Sequence, residues 1–112
     1  MIVAALMAAA LFGADLSDMP TESAADLQCM GLLAVAIDDP AATDAVKQQY
    51  TGGMMYYLGR LEGRDPSRNW IKRMLDYTDS TPVQQVRSHT QRCGQELIAK
   101  GQEIYSQLDR EP

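Results

Sequence analysis

The 112-residue chain has little of what chemistry usually needs. It contains one histidine, His89, so any Ser-His-Asp or Cys-His arrangement has a single imidazole to draw on. A two-ligand metal chelate has only His89 and Cys93, one helical turn apart, and a structural zinc site wants about four ligands where Cys29 is the one obvious third. Paired carboxylates beside a recognisable cleft are lacking as well. No catalytic centre, no metal and no other cofactor is therefore expected. There is no convincing run of alternating apolar and polar residues, no hairpin dipeptide between apolar runs, and no internal repeat or low-complexity tract, which argues against a β-sheet protein or a solenoid.

Basic residues are missing from the start of the chain. Residues 2–14, "IVAALMAAALFGA", are uncharged and apolar, and the acidic stretch "DLSDMPTESAAD" follows. That order is the order of an export signal, although the α-amino group is the only positive charge before the apolar run. As a helix, such a run reaches about 20 Å, short of the ~30 Å hydrocarbon core of a bilayer, so a permanent span is not expected. Ser23 and Ala25 supply small residues for a cut before Asp26, and Ala8 with Ala10 offers another cut inside the apolar run. The expected organisation is a signal peptide and acidic linker over residues 1–25, then a helical domain over 26–112, periplasmic or secreted. The alternative is a buried first helix of a cytosolic domain. A lipoprotein anchor at Cys29 is not expected, because "DLQC" lacks the small residue such a site needs before its cysteine.

The full chain carries net charge −5; losing Asp15, Asp18 and Glu22 with the signal leaves −2. A near-neutral surface argues against nucleic acid as a partner, since its polyanionic backbone is held by clustered cations. Two cysteines, Cys29 and Cys93, stay in the mature part, and in an oxidising compartment they are expected to pair.

Three dipeptides, Asp39-Pro40, Asp65-Pro66 and Thr81-Pro82, each set a capping side chain beside a proline suited to the first helical position. They predict three helix starts, the last strengthened by Gln84 as a capping box. Between them apolar residues recur at helical spacing: Leu27, Met30, Leu33, Ala34 and Ile37; then Val46, Tyr50, Met54, Tyr57, Leu58 and Leu61; then Trp70, Ile71, Met74 and Leu75. The last stripe, Val86, Thr90, Cys93, Leu97, Gly101, Ile104 and Leu108, predicts one helix from Pro82 nearly to the end. The expectation is an all-α fold: a small four-helix bundle closed by one disulfide and preceded by a signal helix.

The stretch "TGGMMYYLGRLEGRDP", residues 51–66, is the one place that invites a site. A phosphate loop needs its glycines between a strand and a helix, whereas these lie within a helical period. At about 100° per residue, Gly52, Tyr56, Gly59 and Gly63 form one row opposite the apolar stripe. Glycine inside a helix costs about 1 kcal/mol relative to alanine, so the row needs a reason. The favoured one is a central second helix that a neighbour approaches closely; the other is an open groove lined by Tyr56 for a small apolar ligand or a partner helix. Arg60, Arg64, Arg68, Lys72 and Arg73 are expected to pair with Asp or Glu on neighbouring helices, with an acidic partner or anion as the functional alternative. Met54, Met55 and Met74 are expected to fill gaps in the core. His89 is expected at the boundary of the last helix, where it would titrate near pH ~6.5 and loosen packing in acid.

The early cysteine, "MMYYLGRLEGRDP" and "QRCGQELIAKGQ" together resemble a group of small exported bacterial proteins without an assigned role. That resemblance implies a helical domain with a Cys29–Cys93 disulfide and no catalytic residues. Size, helicity and single disulfide also look like the periplasmic acid-stress chaperones, which release apolar surface at low pH, a likeness of architecture alone. Three functions follow as expectations. The first is an interaction module that binds another envelope protein through Gly52, Tyr56, Gly59, Arg60, Gly63 and Arg64; the second is an acid-stress chaperone, and the third a carrier of a small apolar ligand.

Overall fold

The computed structural model describes residues 15–109. The expected signal helix falls on residues 1–14 and lies outside the described residues. The rest is all-α: α1 (Thr21–Ile37), α2 (Asp44–Arg64), α3 (Trp70–Ser80), a short α4 (Val83–Arg87) and α5 (Thr90–Leu108). Among the described residues, no helix is long and apolar enough to cross a membrane.

The three Asp/Thr-Pro dipeptides start turns more than helices. The amide of Ala41 donates to Asp39 Oδ1 at 2.9 Å, and both the amide and the hydroxyl of Ser67 donate to Asp65 Oδ1 at 3.1 and 2.6 Å. Each aspartate thereby spends its side chain on a local turn. The helix cap passes to a residue four positions on: Thr43 Oγ1 accepts from Val46 N–H, and Asn69 Oδ1 accepts from Lys72 N–H. At the third dipeptide Pro82, not Thr81, occupies the cap position, and only a five-residue helix follows.

The single long helix expected from Pro82 onward is broken at Ser88–His89. The hydroxyls of Ser88 and Thr90 donate to the carbonyls of Gln85 and Arg87, three residues back, both at 2.6 Å. Side chains that bond backward in this way compete with the helical ladder. The chain turns at His89 and restarts as α5.

The central element is α1, a correction to the expectation that the second helix is packed on both sides. Between Asp26 and Asp38 the sequence carries no charge, and Leu27, Cys29, Met30, Gly31, Leu32 and Leu33 are all buried. A helix apolar nearly all round belongs inside. Tyr57 and Leu61 of α2, Trp70, Met74 and Tyr77 of α3, and Val86 of α4 close over it. At Gly31 an added Cβ would sit 2.9 Å from Tyr77 Cδ2, so the glycine is what lets α3 lie so close. The expected α3 stripe is half right: Tyr77 is buried where Ile71 and Leu75 are exposed.

Cys29 and Cys93 are bonded, tying α1 to the first turn of α5 across 64 residues. The expected domain boundary at residues 25/26 falls inside α1. Residues 15–25 pack on the body: Met19 and Ser23 are buried, and Asp18 meets Arg68 at 3.0 Å and Arg73 at 3.3 Å.

Candidate functional site

One face of α2 was expected to meet a partner, and its two arginines are engaged within the fold. Asp26 of α1 is 2% exposed. Its Oδ2 accepts from Arg60 Nε at 3.1 Å and from Arg64 Nη2. Arg64 also donates to Ser23 Oγ at 3.1 Å, and Arg60 lies 3.8 Å from Glu96 of α5. Arg60 Nη1 donates to Tyr56 Oη at 2.7 Å, a bond that raises the guanidinium's pKa, with the Asp26 and Glu96 charges adding to it. Beneath them Tyr57 donates to Glu96 at 2.8 Å, and burial, then that carboxylate, pushes the phenol well above its ordinary value. The pairing of Arg60 and Arg64 with acidic residues on neighbouring helices is as the spacing predicts. The consequence is that these charges clamp α1, α2 and α5 together.

The glycine row departs from its favoured expectation. A Cβ added at Gly52, Gly59 or Gly63 would meet nothing within 4 Å, so among the described residues no neighbour packs there. Close approach occurs instead at Gly53, which the sequence reading passed over: a Cβ there would lie 2.8 Å from Leu33 Cδ1 and 3.1 Å from Leu97 Cδ1. Met55, expected in the core, is 67% exposed on the open side, whereas Met74 is buried and Met54 half-buried.

His89 sits at the cap position of α5 with Nδ1 3.4 Å from Arg92 Nη2. Arg92 in turn donates to Gln28 Oε1 and contacts Cys29 Sγ at 3.4 Å. Burial, then the Arg92 charge, lowers the imidazole pKa below its ordinary value. The disulfide uses both sulfurs, so neither is available as a nucleophile beside His89. Tyr77 Oη is buried with no hydrogen-bond partner among the described residues.

A concavity lies elsewhere, between the C-terminal half of α1, Gln49 and Tyr50 of α2 and the first turns of α5. Leu32, Leu33, Val35 and Ala36 of α1, Tyr50 of α2, and Leu97 and Ile98 of α5 line it. The cleft holds about 600 Å³, with Asp39, Gln49 and Arg87 among its few polar residues. Beyond it α5 runs on past the body: Ile98, Ile104, Tyr105 and Leu108 are 52–70% exposed. Ile104 and Leu108, placed by the sequence on the apolar stripe of the last helix, are exposed instead. The signal for the cleft was in the same stripe, as an apolar face that runs on to Leu108, past the residues that line the cleft. No protein-family model, curated protein or solved structure matches the chain.

Proposed function

We propose that the chain is a non-enzymatic, exported interaction module whose cleft between α1, α2 and α5 takes an apolar helical segment of another protein. The observation that carries this reading is the continuity of the cleft with the exposed apolar face of α5. Ile98 both lines the cleft and is exposed, and Ile104, Tyr105 and Leu108 continue its face of α5. Amphipathic helices lay their apolar faces into grooves of this kind. The resemblance to small exported proteins and the disulfide, a bond that persists in oxidising compartments, both agree with an envelope location. The partner face moves from Arg60 and Arg64, which are engaged internally, to Val35, Ala36, Tyr50 and Ile98.

A photo-reactive residue at position 36 or 98 should give protein adducts in the envelope, and one at position 59, on the open glycine row, should not. Adducts at 59 with none at 36 or 98 would return the site to the α2 face and sink the cleft reading.

A second reading, a carrier of a small apolar ligand, has the cleft volume in its favour, since ligand sites commonly run from about 300 to 1,000 Å³. Mass spectrometry of small molecules released on denaturation tests it. The acid-stress chaperone reading is weaker, because Ile98, Ile104, Tyr105 and Leu108 are exposed in the folded chain without any acid trigger.

A further inference from the structure

We infer that the Cys29–Cys93 bond exchanges with small thiols that reach it through the cleft, Cys93 being the sulfur attacked and Cys29 the sulfur that leaves. The inference uses the geometry of the cleft and holds whether or not a helical segment is its partner.

The two ends of the bond have different surroundings. Cys93 of α5 lines the cleft together with Thr90, Gly94 and Leu97. A Cβ added at Gly94 would meet nothing within 4 Å, so the wall beside Cys93 is open. Cys29 of α1 is fully buried and takes no part in the lining. The way to the bond is therefore from the Cys93 end.

Cys29 has instead a cation against its sulfur. Arg92 Nη1 lies 3.4 Å from Cys29 Sγ, while Nη2 donates to Gln28 Oε1 at 3.1 Å and lies 3.4 Å from His89 Nδ1. Among the described residues no carboxylate pairs with Arg92, so its charge is left to act on the sulfur.

The direction of exchange follows from that asymmetry. A small thiol that has given its proton to solvent attacks Cys93 Sγ as the thiolate. The new sulfur–sulfur bond forms as the Cys93–Cys29 bond breaks, and the electron pair of the broken bond goes to Cys29 Sγ. One disulfide replaces another, so no oxidant is consumed. Exchange is faster when the leaving sulfur is the more stable thiolate, and a neighbouring arginine lowers a thiol's pKa. A second thiolate that attacks the small thiol's sulfur frees Cys93 and departs as the small disulfide.

The opened bond leaves α5 in place. Tyr57 Oη donates to Glu96 at 2.8 Å and lies 3.3 Å from the Cys93 carbonyl oxygen, and Leu97 lies over Gly53. Cys29 thus stays beside Cys93, and its return attack restores the original bond.

The experiment is reaction of the oxidised full chain with β-mercaptoethanol in native buffer, followed by acid quenching, alkylation of the freed thiol and peptide mass spectrometry. The adduct should sit on Cys93 and the alkylating group on Cys29; the reverse, or an even split, overturns the assignment. The rate should rise in proportion to thiol concentration. A rate that levels off means that unfolding limits the reaction, and overturns approach through the cleft. Arg92→Met, which alters an exposed side chain, should keep the helical circular dichroism. It should slow the reaction by roughly three- to tenfold, the effect of raising the leaving thiol's pKa by about 1 to 2 units at a slope of about 0.5. Arg92→Lys should restore part of the rate. In concentrated urea wild type and Arg92→Met should react alike, because the folded contact is gone. A folded Arg92→Met chain that reacts as fast as wild type, or a slowing that persists in urea, overturns the role of Arg92.

Discussion

Asp26 of α1 and Arg60 of α2 are joined at 3.1 Å, and the two members are unequal: the aspartate side chain is 3% exposed and the arginine 38%. Arg64 completes the clamp on the same carboxylate oxygen. The carboxylate is therefore the member that depends on its partners.

Removing both arginines, as Arg60→Met/Arg64→Met, strands a buried charge and should cost about 3 kcal/mol or more. Asp26→Asn leaves guanidinium groups that reach water, and should cost about 1 to 2 kcal/mol. Urea unfolding checks both, with the midpoint falling further for the arginine variant at unchanged slope. The reverse order would mean that the aspartate is not the buried dependent of the pair.

The glycines of α2 divide into two classes with opposite signs. Gly59→Ala and Gly63→Ala enter open space and should each raise stability by up to about 1 kcal/mol, through helix propensity and a less disordered unfolded chain. Gly53→Ala must displace the tips of Leu33 and Leu97 and should lower it by about 1 kcal/mol, the overpacking cost exceeding the propensity gain. Thermal unfolding of the three single variants decides the matter; equal shifts at 53, 59 and 63 would contradict the packing.

Residues 15–25 belong to the folded body. A chain beginning at Asp26 loses buried Met19 and Ser23, the first turn of α1, and the Asp18 partner of Arg68 and Arg73. Against a chain beginning at Asp15 it should lose about 2 to 4 kcal/mol, most of it from the methionine and the helix end. Equal denaturation midpoints would show that the segment contributes nothing.

His89 gives the fold a pH dependence of known sign. Its folded pKa lies below the unfolded value of about 6.5, because burial and Arg92 disfavour the imidazolium. The unfolded chain therefore takes up the proton first. The stability is whole above pH ~6.5 and declines as pH falls from there through the folded value. His89→Gln should flatten that decline between neutral and mildly acidic pH. Asp18, whose pKa the hydrogen bond from Arg73 lowers first of all, has its stabilising effect above the ordinary carboxylate range and loses it only in stronger acid. Melting temperature followed against pH for wild type and variant separates the two.

The all-α class and the Cys29–Cys93 pair were legible because helical period and cysteine count are local properties of a chain. Tyr57, Leu61, Trp70 and Met74 were placed correctly for the same reason. The break at Ser88–His89 was not, since Val86, Thr90 and Cys93 keep the period straight through it while two hydroxyls undo the ladder. Nor was the centrality of α1 drawn from its uncharged run, because three glycines in α2 suggested the wrong helix. The partner of Arg60 and Arg64 depends on how α1 crosses α2, a tertiary relation that no spacing within either helix encodes. The cleft is similar: an overlong apolar stripe is visible in α5, but which half finds a neighbour depends on where the body ends.

The disulfide has a mechanical side. Cys93 lies in the first turn of α5 and Leu108 at its last residue, so the far end of the helix stands about 22 Å from the bond. A force applied to that end acts on a lever whose fulcrum is covalent. The load passes through sulfur into Cys29, in the middle of the most deeply buried helix, instead of peeling side chains apart one after another. Whatever grips the tip of α5 thus pulls on the centre of the protein.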